Sequence, residues 1–355
     1  MDIDWNYISS AQNAPGPVNN TMKKKDGYFL CNMIHSIIFQ KGIMLNLVLG
    51  GTVIFFLMAC ERNVGSYAKP SPTINVITTM SILEDWVSRV GGENVNVRSI
   101  VPSNVDPHTF RPTPVQIGQI EEADIIFLIG EGYEGNWLNK LSSNLVSERG
   151  KIVHLSESVN LLEYKGYEDK DHATKRGEFD PHFWHDPLIS VDAINEIARK
   201  LNTLDISKKS TFTKNATIYV NELIALDKWI SSEVSKIPPE KRLLVTNHQT
   251  MGYFASKYGF RILGNFVEGL STEKNHTIKG MITIMDKIKD SGLDVVFSEM
   301  QIPDKIAKTI SDETNVTIIP LHSESLGLPG SNSDTYIKMI RSNVHSIVNG
   351  LSNSL

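Results

Sequence analysis

Cysteine is nearly missing from this chain: only Cys31 and Cys60 occur. That excludes a disulfide framework and any zinc site built from several thiolates. A basic excess is missing too, since 35 Lys and Arg face 40 Asp and Glu, for a formal charge of −5. No field of the right sign exists to hold a nucleic-acid backbone, and that class of partner is excluded. Nor does any internal repeat or low-complexity tract stand out. What is there is ordinary globular material: 355 residues, 41% apolar and 21% charged, enough for about two domains with conventional cores.

The first 60 residues follow different rules. Lys41-Gly42 precedes an apolar run from Ile43 to Ala59, which closes on Leu57-Met58-Ala59-Cys60. A positive flank, an apolar stretch and small residues before a cleavage point make an export signal. Its last four residues resemble a bacterial lipobox, in which cleavage leaves the cysteine at the new N-terminus carrying lipid. Cys60 is therefore the expected lipidation site, and the protein is expected outside the cytoplasm, anchored to the outer face of the cytoplasmic membrane. The alternative is a single membrane-spanning helix, because about 17–18 apolar residues lie near the spanning limit. A cysteine at the end of the run favours the lipoprotein. An over-long reading frame accounts for the residues before the run, with Met22, Met33 or Met44 as the start. Residues 1–60 are read as extension plus signal, and 61–72, polar with Gly65, Pro70 and Pro72, as a tether.

Beyond the tether, short apolar runs alternate with helical patterns. Strands are expected at Ile74–Thr78, Val97–Val101, Ile125–Ile129, Ile152–Leu155, Leu243–Thr246, Arg261–Gly264, Val295–Ser298 and Val316–Ile319. Helices are expected at Ser81–Val90, Thr113–Glu122, Ser190–Leu204 and Lys279–Ser291. Such alternation predicts an α/β fold of parallel sheets covered by helices. From Lys208 to Ile237 no Gly or Pro intervenes, and Phe212, Ala216, Tyr219, Leu223, Leu226, Ile230, Val234 and Ile237 make one apolar stripe. A helix of that span is about 45 Å long. A coiled-coil arm is one reading. The preferred one is a rigid linking helix, residues 207–237, between lobes at 73–206 and 238–355.

Histidines fall just after several of these strands: His108 in Asp106-Pro-His, His182 in Asp180-Pro-His-Phe-Trp-His-Asp-Pro187, His248 in Thr246-Asn-His, and His322 with Glu324 in Leu321-His-Ser-Glu. Ligands of open parallel sheets bind outside the carboxyl ends of the strands. Imidazoles with a carboxylate suit a borderline divalent ion such as Zn²⁺.

The wording around these histidines resembles the metal-specific solute-binding proteins of ABC transporters, the zinc and manganese receptor family. Asp106-Pro-His108, Asp180 to Pro187, Asn247-His248 with Gly252-Tyr253-Phe254, and Leu321 to Gly327 match four of its motifs in order, over residues 73–350. The resemblance implies a two-lobe receptor with the ion in the cleft between lobes, working with a membrane permease and an ATPase, held at the membrane by lipid, and monomeric. It places the metal ligands on His108, His182, His248 and Glu324, where the family usually has Asp at the last position. Glu299 and His322 are candidates to orient those ligands by hydrogen bonds. His185 is expected to project away from the side His182 takes in an extended segment.

Within the family, His at the third ligand goes with zinc, and a carboxylate there goes with manganese or iron. Three imidazoles and one carboxylate agree physically with Zn²⁺ as cargo; Mn²⁺ or Fe²⁺ are the alternatives. The segment Glu163–Asp180 carries only His172 before the second motif, where zinc receptors often have a histidine-rich loop, which keeps manganese open. Two other classes stay in view: a zinc-dependent hydrolase with Glu324 or Glu299 as base, and an adhesin lipoprotein.

Overall fold

The computed structural model describes residues 73–135, 137, 151–164, 178–267, 269–272, 277–300 and 305–352. The expected signal, Cys60 and the tether lie outside the described residues. Ser71–Leu355 forms one compact unit.

The N-terminal half runs β1 (Ile74–Thr78), α1 (Ser81–Gly91), β2 (Val95–Ser99), α2 (Pro114–Glu122), β3 (Ile125–Leu128) and β4 (Ile152–His154). Its strands form one parallel sheet in the order β2-β1-β3-β4, with Ile74 opposite Val95 and Val76 opposite Ile125. Successive side chains enter different cores, as a doubly covered sheet requires. Val76, Ile125 and Phe127 join the central core, whereas Ile77, Ile126 and Leu128 pack with Ile100 and Ile120 on the other face.

A short antiparallel ribbon follows, β5 (Leu162–Glu163) with β6 (Phe179–Asp180). Next come α3 (Pro187–Leu204) and α4 (Lys209–Val234). Asp186 caps α3 through the Leu188 N–H, with Pro187 in the first turn, where its fixed φ and missing N–H cost nothing. The helix therefore begins three residues before the apolar period alone predicts. The C-terminal half runs β7 (Leu243–Thr246), α5 (Gly252–Tyr258), β8 (Arg261–Asn265), α6 (Ile278–Ser291), β9 (Val295–Glu299), α7 (Lys305–Thr314), β10 (Thr317–Leu321) and α8 (Tyr336–Ser352). β7 pairs in parallel with β8, and β9 with β10, while β7 runs beside β9.

Helix α4 has 26 residues, about 39 Å at the usual rise. Its buried stripe is Phe212, Ala216, Tyr219, Leu223, Leu226, Ile230 and Val234. This face meets α1 and α3 from one half and α8 from the other. Asp85 of α1 ties the three directions together, accepting from the Tyr219 hydroxyl of α4 and the Tyr336 N–H of α8, both at 3.2 Å. A single core thus contains residues of α1, α4, β9 and α8. The coiled-coil alternative gives way to this packing.

Candidate metal centre

Four buried side chains meet at the carboxyl ends of the strands: His108, His182, His248 and Glu324, none more than 1% exposed. One donor atom from each lies within 4.8 Å of every other. Glu324 Oε1 is the hub, at 2.9 Å from His108 Nε2 and 3.4 Å from both His182 Nε2 and His248 Nε2. Donors around a tetrahedral ion with bonds of about 2.0–2.2 Å stand about 3.3–3.6 Å apart. The two 3.4 Å separations fall in that range and the 2.9 Å one is shorter, so the four donors are close enough to share one ion.

Each histidine is held by its own loop. His108 follows β2, in a turn closed by its N–H on Asp106 Oδ1 at 2.9 Å. His182 leaves β6, its N–H on Asp180 Oδ1 at 2.9 Å. His248 leaves β7, its N–H on Glu299 Oε1 at 3.0 Å. Glu324 follows β10 in a bend whose neighbours are held by residues of the N-terminal half. The Trp184 indole donates to the Ser323 carbonyl at 2.7 Å, and the Leu326 N–H donates to Ser81 Oγ at 2.9 Å.

Every ring also has its far nitrogen occupied. His108 Nδ1 lies 3.0 Å from the Tyr133 carbonyl, His182 Nδ1 2.7 Å from Asp180 Oδ1, and His248 Nδ1 2.9 Å from Glu299 Oε1. An Nδ1–H donated to these acceptors leaves each Nε2 lone pair directed at the shared centre. The Tyr133 carbonyl is presented by a loop fixed by Glu134, which is buried and accepts from Thr79 Oγ1, Ile129 N and Gly130 N at 2.7–3.0 Å.

The electrostatics match. Burial alone would raise the Glu324 carboxyl, but the His108 and His248 rings outweigh it and hold it well below the usual carboxylate range. Burial alone would lower His248, yet the charges of Glu299 and Glu324 prevail and hold it well above the ordinary imidazole value. His182 is raised in the same way, the Asp180 carboxylate overcoming burial. Three carboxylates around three imidazoles, all out of water, are arranged to attract a cation.

The other expected residues divide. Glu299 lies on His248, as above, and its Oε2 accepts from Ser323 Oγ at 2.7 Å. His322 does not join them: its Nε2 lies 2.9 Å from Ser333 Oγ, and its backbone pairs with Asn343. The chain bends over 323–325 instead of continuing extended, so His322 and Glu324 do not share a face. His185 is outside the cluster, for a different reason from strand alternation. Phe183–His185 is a 3₁₀ turn, and His185 is buried behind it, its pKa lowered to about 3 by burial and then by His182. Asp180 and the Tyr133 carbonyl carry no signal of their own in the sequence beyond motif position. The hydrolase alternative finds neither glutamate free to act as base: Glu299 is committed to His248 and Ser323, and Glu324 to the three rings.

Comparison with known proteins identifies the family and the fold. A family model described as zinc-uptake complex component A, periplasmic, matches residues 76–350. A metal ABC transporter substrate-binding lipoprotein of Streptococcus cristatus is 31% identical over 301 residues, 83% of this chain and 94% of that one. A manganese ABC transporter substrate-binding lipoprotein of Streptococcus gordonii is 30% identical over 300 residues, with the same coverage of 83% and 94%. Among solved structures, the periplasmic zinc binding protein of Treponema pallidum superposes with a TM-score of 0.71 at 27% identity, covering 79% of this chain and 99% of that one. A Mn-bound periplasmic metal binding protein of Candidatus Liberibacter asiaticus gives 0.67 at 25% identity, covering 79% and 100%. The chain belongs to the zinc-uptake component A family and is a substrate-binding protein of a metal ABC transporter, a receptor and not an enzyme.

Proposed function

We propose that this receptor takes up Zn²⁺ outside the cytoplasm through His108, His182, His248 and Glu324, and passes it to the permease and ATPase of its transporter. The observation that carries the reading is the common direction of three imidazoles. Each has its Nδ1 on an acceptor and its Nε2 turned to the Glu324 carboxylate. Three nitrogens and one carboxylate oxygen suit a borderline ion, and a harder ion such as Mn²⁺ would require more oxygen. Lipid on Cys60 would tether a monomer at the membrane surface, in keeping with the lipoprotein names of its relatives. Lobes at 73–206 and 238–355 joined by the helix at 207–237 account for the way α4 packs on both halves.

Manganese, with iron beside it, is the second reading, favoured by the relatives named for manganese. The separating experiment is competition. Chelator-stripped protein is offered equal Zn²⁺ and Mn²⁺, and the bound metal is measured. Zinc retained over manganese is expected. Manganese retained over zinc overturns the zinc assignment, and failure to bind either ion overturns the site.

A further inference from the structure

We infer that Gly252 and Asp180 form one positioning device for the metal site: the missing side chain at 252 keeps the Asp180 carboxylate on His182. This rests on His182 being a donor to the ion. Asp180 Oδ1 accepts from both the N–H and the ring Nδ1 of His182. Its Oδ2 is buried and makes no hydrogen bond among the described residues. That oxygen faces Gly252, the first residue of α5. A Cβ there would stand well inside van der Waals contact of Oδ2 and 3.6 Å from Cγ.

The carboxylate has no route of escape that keeps its bonds. The Asp180 backbone is fixed by pairing with Leu162 and by the Tyr253 hydroxyl, which donates to the Asp180 carbonyl at 2.7 Å and accepts from the Leu162 N–H at 2.8 Å. Tyr253 follows Gly252, so the same contact holds α5 against the ribbon. Relief of a clash must therefore come from rotation of the Asp180 side chain, which breaks both Oδ1 bonds. His182 would then lose the acceptor that selects its Nδ1–H tautomer, and its Nε2 would no longer be held as a lone pair toward the ion. Gly252 is in a helix with φ in the ordinary range, where Ala is the better residue. A loss on substitution to Ala cannot be assigned to the backbone.

A double-mutant cycle on full-length protein tests the pairing, with Zn²⁺ affinity read by chelator competition and Co²⁺ absorption bands reporting ligand geometry. D180A is expected to weaken Zn²⁺ binding about 10–100-fold, the usual range for a residue that orients a metal-bound histidine, and to shift the Co²⁺ bands. G252A alone should show a similar loss and shift. In the D180A background G252A should add nothing to the loss and should raise the melting temperature. Losses that multiply, or D180A at wild-type affinity, overturn the inference. Should G252A fail to fold, D180A must rescue it, and a double variant that also fails overturns the pairing. H182A is the control: unchanged affinity there overturns the ligand assignment itself, whereas a loss in H182A without one in D180A overturns only the present inference.

Discussion

Glu299 Oε1 accepts from both the backbone N–H and the ring Nδ1 of His248, at 3.0 and 2.9 Å. The acidic residue ends β9 and the histidine follows β7, so two adjacent strands fix one imidazole in position and tautomer. Asp180 does the same for His182 from within a single turn. Two of three rings are thus backed by carboxylates and the third by a carbonyl. The arrangement predicts a graded response: E299A should weaken Zn²⁺ binding about 10–100-fold, while E299Q, which can still accept at Oε1, should lose less. Equal losses in the two variants, measured by chelator competition, would contradict the tautomer argument.

Removing a donor should cost far more than removing its support. H108A, H182A and H248A each delete one of the four proposed donors from a buried site and leave a cavity lined by the remaining polar groups. Zn²⁺ affinity is expected to fall by at least three orders of magnitude, about 4 kcal/mol or more. Stripped variants should keep a cooperative melt, because the donors sit on loops and the helical core does not depend on them. A variant that binds at near wild-type strength would remove that residue from the ligand set.

Much of this was legible from sequence because the donors come in local words that end strands. His108, His182, His248 and Glu324 each follow an apolar run or a Pro-bearing turn, and the structure brings all four together. The less legible parts lack local pattern. β5 and β6 are two residues each, too short for any period. β2 begins and ends two residues earlier than expected, at Val95–Ser99. Ile100 and Val101 extend the apolar run but leave the strand, with the Ile100 N–H bonded to the Thr78 carbonyl. Similarly β10 ends at Leu321, where Pro320 and Leu321 continue the ladder beyond Ile319. The contact of Gly252 with Asp180 joins positions far apart in the chain, and a glycine opening a helix reads simply as a turn.

Proton linkage gives a further test. With His248 held well above the ordinary imidazole value by Glu299 and Glu324, against burial, stripped protein is expected to carry a proton there at neutral pH. A metal ion takes the Nε2 lone pair and must expel that proton. Binding should therefore release protons, and apparent affinity should fall as pH drops below the raised pKa, by about tenfold per pH unit for each proton released. Calorimetry in buffers of different ionisation heat measures the release. Zero proton release at pH 7 would show that the ring is neutral before the ion arrives.

Helix α4 makes a mechanical prediction. Leu223 lies at the middle of its buried stripe and is fully buried, so L223A should destabilise by about 2–5 kcal/mol. Because α4 contacts α1, α3 and α8, the melt should remain one transition. A stiff helix through both halves also limits hinge motion. Small-angle scattering of stripped and Zn²⁺-loaded protein should differ little; a large change in radius of gyration would show a hinge that bypasses α4.

The third ligand should govern metal choice, but not by a simple swap. Changing His248 to Glu supplies the oxygen donor that Mn²⁺ prefers. It also sets a new carboxylate against Glu299 Oε1, now 2.9 Å from the His248 ring. Two buried carboxylates at that separation repel, and one must take a proton or turn away. H248E alone is therefore expected to lose affinity for both ions. Pairing it with E299Q removes the charge repulsion, since the Gln side chain is neutral. The H248E/E299Q protein should bind Zn²⁺ more weakly than wild type and raise its Mn²⁺-to-Zn²⁺ preference by about tenfold or more, a shift of about 1.4 kcal/mol. Zn²⁺ need not lose outright, because the general affinity order places it above Mn²⁺ for these donors. Competition titrations on the single and double variants decide it: an unchanged preference in the double variant would mean that the atom at position 248 does not set the choice.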